Sequence, residues 1–287
     1  MPRFTLAFPL LALLSLTAGA QEAITIKIAA PRPGDRSKVT LEDKTVTKTV
    51  FTVGGNEQSK DEVKTRSLVY VDEIIENPMN TKRPTKLKRT FEKAVIAKDG
   101  QKLNLPVEGK SVLIDKKGEK YSFTVDGKGV TGDTLRILED EFNRSGRGEV
   151  RDIMFPKKPV KPGESWQVDG KELAKTMGEQ GPTFAEGAIR AQGTLVKAYK
   201  KGGKQFGVIE FDFAAPLTGL GPKSPVTVKE GKMTMKLSGD GCIDGTVAAG
   251  KSTSKMSLDL TGSTMGVELR VGVENTEDRT VEELPKK

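Results

Sequence analysis

The chain contains no histidine. That excludes Ser-His-Asp and Cys-His nucleophile systems, and His-ligated zinc, copper and iron sites. The side chain best suited to proton transfer near neutral pH is missing too. Catalysis would have to run on carboxylates, lysine, tyrosine or a Ser-Lys pair. Cysteine is nearly absent: Cys242 stands alone, so an intramolecular disulfide is excluded. A single cysteine of this kind is expected to be a small buried hydrophobe rather than a reactive thiol. Aromatic residues make up 5% of the chain, so the core must rest on Val, Ile, Leu and Met. Beyond residue 20 no apolar run approaches the roughly 20 residues that a spanning helix needs.

The start of the chain reads differently. Arg3 supplies a minimal positive region, Leu6 to Leu16 is apolar except for Pro9 and Ser15, and Ala18-Gly19-Ala20 offers a small-residue cleavage site. Residues 1–20 are expected to be a secretory signal peptide, too short to span a bilayer. No cysteine follows the site, which disfavours a lipid anchor. The mature chain then has 287 − 20 = 267 residues, enough for one large β domain or two small ones. Removing Arg3 takes the net charge from +8 to +7. Acidic residues are interspersed with the lysines, so most of this charge is a solvated surface. The excess favours an anionic surface such as lipid headgroups or acidic glycans. Export and the lack of basic residues interleaved with aromatics both disfavour nucleic acid.

Most of the remaining chain carries strand signals. Ala23 to Ala29 places Ile24, Ile26 and Ile28 on one face. Lys38 to Val53 reads as one long strand, or as two with a bulge near Asp43, and Gly54-Gly55-Asn56 turns the chain. Glu62 to Ile75 and Leu87 to Ile96 follow; in the latter Leu87, Arg89 and Phe91 share a face, while the inward set stays ambiguous. Val112–Ile114 and Tyr121–Val125 form a hairpin around Lys117-Gly118. In the second half, Phe184–Tyr199 and Gln205–Phe213 flank the hairpin signal Lys200 to Lys204. Pro225–Leu237 alternates, Gly239-Asp240-Gly241 is expected to turn, and Lys251–Leu260 and Met265–Val281 complete the meander. Glu282 to Lys287 is expected to fray.

Two stretches break the strand pattern. Gly132-Asp133-Thr134 offers an N-cap, and Leu135, Leu138 and Phe142 follow at i, i+3 and i+7, which predicts an amphipathic helix ending at Gly146 and Gly148. Gly170 to Met177 suggests a second short helix. Between them lies Phe155-Pro156-Lys157-Lys158-Pro159-Val160-Lys161-Pro162-Gly163-Glu164-Ser165-Trp166. Three prolines fix φ and remove backbone donors, so this is neither a central strand nor a helix interior. Pro162-Gly163 reads as a tight turn, and Trp166 is the only tryptophan. The organisation is therefore a signal peptide (1–20), an N-terminal β-meander half ending in a helix (21–150), a Pro-rich connector (151–170) and a C-terminal β-meander half (171–287), the two halves forming one continuous unit.

Several motifs invite a functional reading. Gly127-Lys128-Gly129-Val130-Thr131-Gly132 matches G-x-G-x-x-G between a strand and a helix. A dinucleotide site also needs a following parallel strand, and here the preceding strand sits in a hairpin, so a loop is the better reading and no cofactor is expected. Asp240 to Gly245 resembles part of a calcium loop, but Cys242 occupies a ligand position and Lys251 stands where Glu is required. A pair of turns is expected, and no metal site. Glu139-Asp140-Glu141 clusters carboxylates on the helix, yet adjacent helical residues do not share a face. The basic run Lys82 to Arg89 has no aromatics. It reads either as an edge-strand face kept soluble by charge or as a contact for an anionic surface. Asn143-Arg144-Ser145 is a glycosylation sequon.

The connector, read as Phe-Pro-x-x-Pro-Val-Lys-x-Gly-Glu-Ser-Trp, resembles a turn of uncharacterised exported bacterial β-proteins. There it precedes a second run of strands with a hairpin similar to Gly239 to Asp244 here. Their overall pattern is similar to the periplasmic lipoprotein-carrier and mycobacterial-lipoprotein half-barrels. The resemblance implies a curled antiparallel sheet whose helices enclose an apolar cavity, and a hydrophobic ligand. The motif carries no catalytic residue and none is transferred.

The expected fold is mainly β: a curled antiparallel sheet, half-barrel or open barrel, with one or two short helices on its concave face. The expected function is a non-enzymatic envelope protein, periplasmic or extracellular, that binds a lipid or other apolar ligand. Leu135, Leu138, Phe142 and Trp166 are the candidate lining residues. Taken singly, each is expected more readily in an ordinary core. The rival is a structural or adhesive surface protein using a basic face on acidic glycan or a protein partner. A His-free hydrolase is a third class, because perturbed carboxylates or lysines cannot be read from sequence.

Overall fold

The structure, a computed structural model, describes residues 22–78, 81, 83–143, 147–178, 181–185, 187–221 and 224–286, without the side chains of 147–149 and 151. The expected signal peptide lies outside the described residues, as do Lys82 of the basic run and Arg144 and Ser145 of the sequon.

The N-terminal half contributes β1 (Arg36–Val53), β2 (Asn56–Glu76), β3 (Lys86–Lys98), β4 (Gln101–Asn104), β5 (Ser111–Lys117), β6 (Lys120–Val125) and β7 (Lys128–Gly129). Helices α1 (Gly132–Phe142) and α2 (Arg147–Met154) follow, then β8 (Ser165–Gln167), α3 (Gly170–Gly178) and β9 (Thr183–Phe184). The long strands β10 (Arg190–Lys201), β11 (Lys204–Gly219), β12 (Thr227–Cys242), β13 (Gly250–Thr264) and β14 (Val267–Leu284) complete the chain. They form one open antiparallel sheet in the order β7-β6-β5-β3-β2-β1-β14-β13-β12-β11-β10-β8, with β4 added to β3 and β9 to β11. The fold is thus the mainly β, open curled sheet that the alternating pattern predicts. Pairing of β1 with β14, from Arg36↔Leu284 to Thr52↔Glu268, joins the first strand to the last and unites the two halves.

Directly paired residues of antiparallel strands point to the same face, so the registers define rows across the sheet. One row runs Leu195, Ile209, Gly239, Ser252, Arg279, Leu41, Leu68, Ala94. At one end, Leu41, Leu68 and Ala94 belong to a core with Tyr70, Phe91, Ile114 and Phe123, covered by Leu138 and Phe142 of α1. At the other, Leu195 and Ile209 belong to a core with Phe211, Phe213 and Leu173 of α3, against which Val150, Ile153 and Met154 of α2 pack. The two cores therefore lie on one face of the sheet. The middle of that face, at β12 to β14, carries small or polar residues in this row.

Several local expectations are corrected. Ala23 to Ala29 is extended but not a ladder strand: it makes only isolated bridges, Ile24↔Val160 and Lys27↔Asp244, although Ile26 and Ala29 are buried. β1 runs without a bulge at Asp43. Gly239-Asp240-Gly241 lies inside β12, paired with Ile209, Val208 and Gly207, because a glycine flanked on both sides by strands needs no turn. β14 continues to Leu284, and Pro285 accepts a hydrogen bond from Arg36 while Lys286 pairs with Asp35, so the chain is tied down where fraying was expected. β3 is not an edge strand: β2 pairs one side and β5 the other. Among the described residues three helices stand where one or two were expected. The third, α2, spans the region read as a helix end, its apolar Val150, Ile153 and Met154 outweighing the roughly 1 kcal/mol cost of Gly148.

The connector behaves as its residues dictate. Glu164 N–H donates to Lys161 C=O at 2.9 Å, with Pro162 and Gly163 between them. Gly163 has φ of +84°, the left-handed value that the third position of a type II turn requires. Val160 is buried and bridged to Ile24.

Candidate ligand groove

Between the two cores the same face carries a groove of about 700 Å3. Its floor is made of small residues on successive strands: Gly207, Gly241 and Gly250 lie in one cross-strand row, Gly239 and Ser252 in the next. The floor is open at Gly239, where a Cβ would meet nothing nearer than 3.7 Å, whereas Ile243 lies over Gly207 and neighbouring backbone crowds Gly241 and Gly250; it lies between two apolar walls. One wall is formed by Val39, Ile74, Leu87 and Phe142; the other by Met154, Phe155, Ile209 and Phe211.

The walls are fixed by polar contacts behind them. Trp166 on β8 donates its indole Nε1–H to the Met154 carbonyl at 2.8 Å, packs edge-on to Phe211 with ring centroids 5.6 Å apart, and lies over Gly193. This holds the end of α2, and with it Met154 and Phe155, against the sheet. On the other side Arg83 donates to the Phe142 carbonyl at 2.9 Å, satisfying an acceptor at the end of α1. Asn143 then grips β6: its Oδ1 accepts from Tyr121 N–H at 2.6 Å and its Nδ2 donates to Tyr121 C=O at 3.1 Å. The sequon asparagine is thus committed to holding α1 in place.

One corner of the groove is charged. Arg89 is 1% exposed and makes paired hydrogen bonds to both carboxylate oxygens of Asp72 (2.8 and 2.8 Å) and of Glu141 (2.7 and 3.0 Å). Its guanidinium stacks 3.7 Å from the centre of the Tyr70 ring. Burial pushes the Glu141 carboxyl up, but the charge and hydrogen bonds of Arg89 outweigh burial and hold it at about 2. Burial likewise pushes the Tyr70 hydroxyl up. Next to this cluster Arg279 lines the groove and also a second, mostly charged cleft of about 870 Å3 between α1 and strands β1 to β4. Burial works against the charge of Arg279, and Tyr70 and Glu141 outweigh it, so the guanidinium stays cationic.

The four candidate lining residues are placed differently. Phe142 lines the groove. Leu138 is completely buried in the core under α1, and Leu135 packs against that core. Trp166 stands one layer behind the groove and positions its wall. The basic run is dispersed: Arg89 is buried, Lys86 pairs with Glu76, and Arg83 serves α1. The carboxylates of the supposed calcium loop are engaged as well. Asp240 accepts from the Tyr199 hydroxyl, and Asp244 accepts from Gln205 N–H and from Thr246. The G-x-G-x-x-G stretch forms β7, which returns antiparallel on β6. The glycine floor and Arg279 were not singled out in the sequence. The signals that mark them are small residues at alternate positions of adjoining strands, and an arginine in phase with Val281.

No protein-family description matches this sequence, and no curated protein is similar to it. Among solved structures, an outer membrane channel from Pseudomonas putida F1 aligns at 8% identity over 91% of this chain and 100% of that one, with a TM-score of 0.19, below that of a shared fold. Among the described residues no helix is long and apolar enough to cross a membrane.

Proposed function

We propose that this chain is an exported, non-enzymatic protein of the cell envelope that holds a lipid or another apolar ligand in the groove between its two cores. The observation that carries this reading is a floor of small residues, Gly239, Gly241, Gly250 and Ser252, open at Gly239 and set between walls of aliphatic and aromatic side chains. Its volume of about 700 Å3 falls within the ~300–1,000 Å3 typical of small-molecule sites. The titratable cluster beside it supports a binding role over catalysis. General acid–base work needs a pKa near the operating pH, whereas Glu141 is held at about 2 and both oxygens of each carboxylate are bonded to Arg89. The rival reading, a basic adhesive face at Lys82 to Arg89, loses support because the described members of that run are buried or paired, Lys88 excepted.

The test is uptake of a fluorescent fatty acid by the wild type and by Gly239→Leu. A Cβ at Gly239 has neighbours no nearer than 3.7 Å, so the larger side chain is tolerated by the sheet and projects into the groove. Saturable uptake by the wild type and its loss in a folded Gly239→Leu support the reading. Equal uptake by both, or none by the wild type, contradicts it.

A further inference from the structure

Resting on that reading, we infer that the ligand is an anionic amphiphile whose carboxylate or phosphate head is bound by Arg279. Arg279 sits in the centre of the sheet, in the same row as Gly239 and Ser252, and lines the groove itself. It makes no hydrogen bond or ion pair with any described residue, unlike the neighbouring Arg89, whose donors are spent on two carboxylates. A partly buried guanidinium whose donors are unspent, at the polar corner of an otherwise apolar groove, is poised for a planar or tetrahedral oxyanion.

The acidic neighbours do not satisfy it. Asp72 and Glu141 give all four oxygens to Arg89, and Glu277 lies 4.0 Å from Arg66. Asp240, between Gly239 and Gly241, points to the opposite face of the sheet, where it accepts from the Tyr199 hydroxyl. The remaining charge facing the groove is cationic: Arg83, which bonds the Phe142 carbonyl. Asp240 and Lys251, paired with each other across β12 and β13, project to the opposite face. Among groove-lining charges on this face, three cations (Arg83, Arg89, Arg279) stand against two carboxylates (Asp72, Glu141), an excess of one positive charge. A single anionic head neutralises it, while the tail runs along the glycine floor toward Ile209 and Phe155.

The experiment titrates the mature wild-type protein with oleate, with its neutral counterpart oleyl alcohol, and with oleoyl-lysophosphatidate, each below its aggregation concentration. Arg279→Gln and Arg279→Lys are titrated in parallel. Oleate or lysophosphatidate is expected to bind about 10- to 100-fold more tightly than the alcohol, the range for hydrogen bonds to a charged group. Arg279→Gln is expected to erase that difference, and Arg279→Lys to retain part of it. Preference for oleate assigns a carboxylate head, preference for lysophosphatidate a phosphate. Equal affinity for oleate and oleyl alcohol in the wild type overturns the inference while leaving the groove reading intact, and does so even if a variant fails to fold. Binding of none of the three overturns both.

Discussion

The guanidinium of Arg89 lies 3.7 Å from the centre of the Tyr70 ring and is closed on its edges by Asp72 and Glu141. Asp72 is on β2, Arg89 on β3 and Glu141 on α1, so one buried cation ties the helix to the sheet. Removing one member of a buried ion cluster leaves uncompensated charge, at a cost of about 3–5 kcal/mol. Arg89→Met is expected to lose that much stability in urea unfolding followed by circular dichroism. A loss below about 1 kcal/mol would mean the cluster does not hold α1.

The same cluster sets a pH dependence. The Glu141 side chain is 28% exposed, and its carboxyl falls from an ordinary 4.5 to about 2 on folding. A carboxyl whose pKa is depressed in the folded state adds stability above its unfolded value, and that stability is lost as pH falls through the folded value. Stability is therefore expected to decline between about pH 4.5 and 2, and Glu141→Gln to flatten this decline. Urea midpoints of both proteins at pH 7, 4 and 3 check it; parallel pH profiles would contradict it.

Gly193 is held small by Trp166. A Cβ on Gly193 would stand 2.3 Å from the indole Cε2 and 2.7 Å from Phe211. Gly193→Val is expected to cost about 1–3 kcal/mol through overpacking and to displace the only tryptophan. A red-shifted Trp166 emission and a lowered melting temperature are the readouts; wild-type emission would show that the indole does not need this glycine.

Leu138 and Phe142 share a helix face but are expected to differ in function. Leu138 is 0% exposed in the core, so Leu138→Ala should cost about 2–5 kcal/mol while leaving fatty-acid uptake per folded molecule unchanged. Phe142 lines the groove, and Phe142→Ala should weaken uptake as well. Equal effects of both substitutions on uptake would remove the distinction.

The sheet was legible because alternation is a local signal, and its turns are written in local residues such as Pro162-Gly163. The inward set of β3 was not. Leu87, Arg89 and Phe91 point inward, but a register irregularity near Glu92-Lys93 shifts the phase so that Ala94 is the next buried residue. A bulge of this kind changes the period without leaving a distinctive residue. Burial of Arg89 was hidden for a similar reason: its partners, Asp72 and Glu141, are 17 and 52 residues away. The groove was least visible, since its floor depends on the registers of β11 to β14. Gly239 and Gly241 read locally as a turn, and only pairing with Ile209 and Gly207 shows them to be strand residues beneath a groove.

The measurement that bears most directly on the central claim is native mass spectrometry of the protein purified from an exporting host, followed by solvent extraction and lipid analysis. A stoichiometric adduct that extracts as a lipid, and is absent from Gly239→Leu, is the expected result. A ligand-free mass for the wild type, together with no uptake of added fatty acid or phospholipid, would contradict the claim.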